Sequence, residues 1–140
     1  MTIIEHINIT VPNIDEAINF IKIVAPDFKV RKDIRPSDNY RWAHIGNDQC
    51  YFALQEPHLD AEPHYPLKSY KNYGANHISL AVEDLDKIEE QLIKAGYKRS
   101  IDAPNEKFRK RLYFFDSTGF EWELVEYFSN DPDEMFLYEG

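Results

Sequence analysis

The sequence predicts an α+β protein in which one strand–helix–strand–strand–strand unit is used twice. Two observations carry this prediction: an internal repeat at a spacing of about 70 residues, and the same alternation of period-two and helical apolar patterns in each copy. His6-Ile7-Asn8-Ile9-Thr10-Val11 is matched 71 residues on by His77-Ile78-Ser79-Leu80-Ala81-Val82, and each is followed by a short polar turn. Arg41-Trp42-Ala43 and Tyr51 to Glu56 are matched, at a spacing of 70, by Arg111-Leu112-Tyr113 and Glu121 to Glu126.

Each element follows from local pattern. Ile3 to Val11 alternates apolar and polar residues, as a half-buried strand does. Asn13 is placed to cap a helix with Glu16 three residues on, Ile14, Ala17, Ile18, Ile21 and Val24 recur at helical spacing, and Pro26 stops the helix. In the second copy Asp84 is the expected cap, Leu85, Ile88, Leu92 and Ala95 the apolar stripe, and Gly96 the left-handed terminator. Three strands are expected after each helix: Phe28–Lys32, Tyr40–Ile45 and Gln49–Gln55, then Lys98–Ile101, Lys110–Phe115 and Phe120–Tyr127. The expected organisation is a first module over 1–56, a linker over 57–75, a second module over 76–128 and a tail over 129–140, all in one compact domain. The linker is long enough to lie over a cleft as a lid, and the apolar tail residues Met135 to Tyr138 are expected to dock.

Composition narrows the function. A net charge of −9 repels phosphate backbones, so nucleic acid is not an expected partner, and the basic run Lys107 to Arg111 reads as a solvated loop. No apolar run reaches membrane length. A single cysteine, Cys50, excludes an internal disulfide, fits a reducing compartment and is expected to be a buried structural thiol. These features, with no targeting segment at the N-terminus, lead to a cytoplasmic expectation.

The residues that could carry chemistry fall on repeat-equivalent strands. A lone strand histidine is usually structural, but His6 and His77 hold equivalent places, and a pseudo-twofold repeat brings such places together. Glu123 alternates with Trp122 and Leu124, which point toward the helix, so its carboxylate faces the other side with Glu121 and Val125. Two imidazoles and one carboxylate suit a divalent metal, with Zn, Ni, Mn, Fe and Co all open. Strand parity puts Asn8, Tyr51, Gln55, Ser79, Arg111 and Tyr113 on the same side as candidate substrate contacts. Arg111 could instead pair with one of the many acids. His44 falls on the helix-facing side, and His58 and His64 are expected to face solvent.

These segments, with Asp116-Ser117-Thr118-Gly119-Phe120-Glu121-Trp122-Glu123, resemble the vicinal-oxygen-chelate superfamily of glyoxalases, extradiol dioxygenases, fosfomycin-inactivating transferases and bleomycin-resistance proteins. The resemblance implies two βαβββ modules forming a cupped mixed β-sheet with helices on its outer face, and a homodimer. It also implies that His6, His77 and Glu123 are metal ligands. The family's fourth ligand position aligns with Ala53, which cannot ligate, so Gln55 and Glu56 become the candidate orienting and proton-handling groups. The Ser- and Gly-rich potassium loop of the fosfomycin enzymes is replaced by the charged run Asn105 to Arg111. The reading is a metal-dependent lyase, isomerase or thiol transferase acting on a small oxygen-chelating substrate. The alternative is a metal-free bleomycin-resistance-like protein that sequesters a cationic aromatic ligand.

Overall fold

The computed structural model describes residues 1–61 and 69–138. The chain divides into two compact units, Met1–Pro66 and Leu67–Gly140, so the expected linker is shared between them. The expected lid lies partly, and His64 wholly, outside the described residues.

In the first unit the elements are β1 (His6–Thr10), α1 (Ile14–Val24), β2 (Lys29–Ile34), β3 (Trp42–Gly46) and β4 (Tyr51–Gln55). They form a mixed sheet in the order β1-β4-β3-β2, with β1 parallel to β4 and the other pairs antiparallel. The second unit repeats this with β5 (His77–Ala81), α2 (Leu85–Lys94), β6 (Lys98–Arg99), β7 (Arg109–Phe115) and β8 (Glu121–Tyr127), in the order β5-β8-β7-β6. The duplicated topology follows the duplicated sequence. A short α3 (Pro132–Met135), not anticipated, caps itself through Asp131, and Phe136 beyond it packs edge-on against Tyr127.

Each helix buries its apolar stripe against its own sheet. Ile14, Ile18, Ile21 and Val24 of α1 are buried, as are Ala43, Ile45, Phe52 and Leu54 of the strands. Leu85, Ile88 and Leu92 of α2 are buried, as are Phe114, Trp122 and Leu124 in the second sheet. Nonpolar area removed from water is the main favourable contribution here, about 25 cal/mol per Å². The opposite sheet faces are polar. Among the described residues no helix is long and apolar enough to cross a membrane.

The helix ends separate the two copies. Asn13 caps α1 as expected, its side chain accepting the Glu16 N–H at 3.1 Å. Asp84 does not cap α2 with its side chain and instead sits at φ +53°, in the left-handed region. A glutamate at the end of the last strand serves both helix starts: Glu56 accepts from Ile14 N at 3.3 Å, and Glu126 from Asp84 N at 3.0 Å. The helix dipole favours a carboxylate there. At the far end of α2, Gly96 at φ +89° closes a Schellman turn, with Tyr97 N–H bonded to Leu92 O and Gly96 N–H to Ile93 O.

Two further expectations are corrected. The first strand starts at His6 and not Ile3; Met1 to Glu5 are exposed. The ungapped match of β3 to β7 is off by one. Gly46 pairs with Tyr51 whereas Phe115 pairs with Glu121, so the second copy's turn is one residue longer. A one-residue shift exchanges the faces of a strand. His44 therefore pairs with Ala53 and lies against Tyr51, on the polar face and not the helix face, and Trp42, not Arg41, is the counterpart of Arg111.

Candidate active site

The polar face of the second sheet is built by register. His77 pairs with Glu121, Ser79 and Tyr113 both pair with Glu123, and Arg111 pairs with Val125, so these side chains share one side. Trp122 and Leu124 alternate onto the other side and anchor β8 to α2. The carboxylates are thus held by an apolar lock on the reverse of their own strand.

His77 has a polar neighbour at each ring nitrogen. Its Nε2 lies 3.0 Å from Glu123 Oε2, and its Nδ1 lies 3.0 Å from the Tyr70 hydroxyl and 3.4 Å from Glu121 Oε1. Glu121 is only 5% exposed and accepts from Tyr70 Oη and Ser100 Oγ, each at 2.5 Å. The hydrogen bond to Glu121, with some loss of water around the hydroxyl, raises the Tyr70 phenol to about 12, although the residue as a whole is 60% exposed. On the other oxygen of Glu123, Arg111 Nη1 stands 3.7 Å away, and it also donates to Tyr113 Oη at 3.1 Å. Burial first, and the Glu123 charge second, push the Tyr113 phenol up.

Arg111 also donates through Nε to Glu106 Oε2 at 2.8 Å, and Arg109 donates twice to Glu106 Oε1. The acid pairing considered for Arg111 is therefore present. Hydrogen bonds from Arg109 and Arg111 outweigh burial and hold the Glu106 carboxyl below its usual range. The loop from Ile101 to Glu106 and the edge of β7 line a cavity of about 440 Å³ that reaches Tyr113 and Phe128.

In the first unit, His6, Asn8, Tyr51 and Gln55 share the polar face, as expected. His6 stacks on Tyr51 with ring centres 4.8 Å apart, and its Nδ1 bonds Glu5 at 2.7 Å, which leaves Nε2 for another partner. His44 and the Arg31 guanidinium also lie against Tyr51. Gln55 joins Asn8 at 3.4 Å to His58 at 3.2 Å, and His58, exposed as expected, stacks on Tyr40. Glu56 is engaged by the α1 N-terminus and lies 3.9 Å from Arg41, which Asp15 and Asp33 also hold. Cys50 is half-buried at a turn, not in the core, with Sγ 3.7 Å from Asn47 Oδ1.

The donor chemistry fits a divalent metal. Imidazole and carboxylate bind such ions at about 2.0–2.2 Å, and two donors at right angles then stand about 3 Å apart. His77 Nε2 and Glu123 Oε2 have that spacing. With Nδ1 turned toward an acceptor system, two electron-rich atoms face each other unless a proton or a metal ion lies between them. Among the described residues no three His, Cys, Asp or Glu side chains are gathered as a ready-made cluster. His77 and Glu123 supply two donors, and the third expected ligand, His6, belongs to the other unit.

Sequence reading missed Tyr70, Ser100 and the central place of Glu121. Parity placed Glu121 on the correct face, but nothing in Tyr70 or Ser100 as residues marks them as its partners.

The structure is thus an α+β unit used twice, each copy with a polar sheet face, and comparison with known proteins makes it specific. The chain belongs to the Glyoxalase/Bleomycin resistance protein/Dioxygenase superfamily, whose family model matches residues 3–124. A glyoxalase family protein from Bacillus cereus superposes with a TM-score of 0.74 at 15% identity, covering 90% of this chain and 94% of that one. A glyoxylase/bleomycin resistance protein/dioxygenase domain from Frankia sp. gives 0.71 at 26% identity, covering 91% and 98%. A mutant of the fosfomycin resistance protein FosX from Listeria monocytogenes gives 0.68 at 12% identity, covering 98% and 99%; that structure holds Mn(II) and 1S,2S-dihydroxypropylphosphonic acid. No curated protein sequence matches the chain.

Proposed function

We propose that the protein is a divalent-metal-dependent enzyme acting on a small substrate with adjacent oxygens, by lyase, isomerase or thiol-transferase chemistry. His6, His77 and Glu123 are the ligands. The observation that carries this reading is the 3.0 Å approach of His77 Nε2 to Glu123 Oε2 with the opposite ring nitrogen already engaged. The Mn(II) held by a FosX relative of the same fold supports it.

When bound, the ion supplies Lewis-acid stabilisation of negative charge developing on substrate oxygen. Arg111 and Tyr113, beside Glu123, bind and orient the substrate in the second unit, with Ser79 on the same face. Asn8 and Tyr51 do so in the first. Gln55, braced between Asn8 and His58, is the orienting group, while Glu56 is committed to α1 and Arg41. The active species is a cytoplasmic homodimer in this reading, which sedimentation of the purified protein tests.

The test is metal content after purification without added metal, for the wild type and for His77→Ala and Glu123→Ala. About one equivalent in the wild type and loss in both variants is expected. Equal content in all three proteins would overturn the assignment. The aromatic face of His6, Tyr51 and His44 favours a second reading, a metal-free binder of cationic aromatic ligands. That reading predicts no metal, and ligand affinity that survives His77→Ala.

A further inference from the structure

We infer that Tyr70, backed by Glu121, is the positioning residue that fixes which nitrogen of His77 is offered at the site. This rests on the metal reading above for its purpose, though not for its geometry. The direction of the hydrogen bonds follows from what each group can do. A carboxylate only accepts, and a phenol has one proton to give and lone pairs to receive. Tyr70 Oη is 2.5 Å from Glu121 Oε1 and 3.0 Å from His77 Nδ1. Its proton therefore goes to Glu121, and it receives the proton carried on Nδ1. That leaves the lone pair on Nε2, the atom facing Glu123.

The relay is held at each link. Ser100 Oγ donates to the second oxygen of Glu121, so the carboxylate cannot turn away. Glu121 is buried on a strand whose neighbours Trp122 and Leu124 are locked into the core. Tyr70 makes these contacts from a backbone at φ +65°, a conformation unfavourable for a bulky residue. Asn76, the residue before His77, holds that turn: its side chain accepts the Tyr70 N–H and its carbonyl accepts from Ser69 Oγ. The segment that carries Tyr70 is thus fastened to the strand that carries His77. In the first unit His6 has a simpler arrangement, its Nδ1 bonded to the exposed neighbour Glu5. The Tyr70–Glu121–Ser100 relay belongs to the second copy and follows from Glu121 standing where the first copy has Tyr51.

The inference is tested on the full chain with ring-15N-labelled histidine. Metal-free Glu123→Ala protein removes the competing acceptor at Nε2. In the neutral ring of that protein, His77 is expected to carry its proton on Nδ1. Adding Tyr70→Phe and Glu121→Gln is expected to return the ring to the Nε2–H form that imidazole prefers in water. An Nε2–H ring in the Glu123→Ala protein overturns the inference, as does an Nδ1–H ring that persists without both partners. In a second arm Zn²⁺ is titrated into otherwise wild-type protein. Tyr70→Phe is expected to weaken binding 10- to 100-fold, roughly the usual effect of removing an outer-shell partner. Tyr73→Phe, at a fully exposed neighbour, is expected to leave it unchanged. Unaltered zinc affinity in Tyr70→Phe overturns the inference. Should no variant and no wild type bind zinc, the metal reading fails, and the ring-nitrogen measurement alone decides the role of Tyr70.

Discussion

Replacing Glu106 by Gln tests the electrostatics of the site wall. The carboxylate side chain is 11% exposed and is shared by Arg109, at 15%, and Arg111, at 20%. Three guanidinium N–H groups point at it, two from Arg109 at 3.0 and 2.7 Å and one from Arg111 at 2.8 Å. Gln keeps the shape but loses the charge, and its amide N–H₂ faces a cation. Breaking a buried ion pair from one side costs about 3–5 kcal/mol. Here Arg111 keeps Tyr113 and the Glu123 carboxylate, and both guanidiniums reach some water, so about 2–3 kcal/mol is expected at pH 7. With a urea m-value of about 2 kcal/mol/M, the midpoint should fall by roughly 1–1.5 M. The pH dependence supplies the sign. Glu106 has a lowered folded-state pKa, so its contribution is fully present above the ordinary carboxylate range and is lost as pH falls through the lowered value. Wild type and Glu106→Gln should therefore converge in acid. A difference that stays constant from pH 7 down to pH 3, or one below about 0.5 kcal/mol at pH 7, would refute the reasoning.

The helix starts give a paired prediction. Asn13→Ala should cost about 1 kcal/mol by urea titration, whereas Asp84→Gly should be neutral or stabilising, because Asp84 makes no side-chain cap bond and sits at positive φ. Glu56→Ala and Glu126→Ala should each lower the melting temperature by about 2–5 °C, since each leaves a helix-start N–H without its carboxylate. Glu56→Ala should also leave metal content unchanged, and a loss of metal would return Glu56 to the active site. Gly46→Ala should destabilise by about 2–4 kcal/mol in the same titration, because a Cβ there would clash with the Cys50 carbonyl oxygen and Tyr51 Cβ. Gly119→Ala meets open space, so only its φ of +84° counts, and about 1 kcal/mol is expected.

Much of the site was legible from pattern. His77, Ser79, Glu123, Arg111 and Tyr113 share a sheet face because side chains alternate along a strand, and the alternation is written in the chain. His44 shows where that reasoning stops. Its face depends on how many residues the β3–β4 turn consumes, and Gly46 makes that turn shorter by bringing the backbones too close for any Cβ. The length of the turn is set by this close backbone approach and leaves no mark in the apolar periodicity, and one residue of slip reverses a strand. Glu56 reads in sequence as a cleft acid, yet its carboxylate is drawn to the α1 N-terminus.

The sequence by itself determined the doubled unit, the apolar faces of both helices, the caps at Asn13 and Gly96, and the polar face bearing His77 and Glu123. These follow from local periodicity and backbone stereochemistry, which act within a few residues. Only the tertiary structure decided that Tyr70 meets His77, that Ser100 and Tyr70 share the buried Glu121, and that Glu106 gathers two arginines. Those contacts join residues distant along the chain or carried on turns. Their partners are chosen by hydrogen-bond geometry after folding, and polar residues carry no periodic mark of whom they will meet.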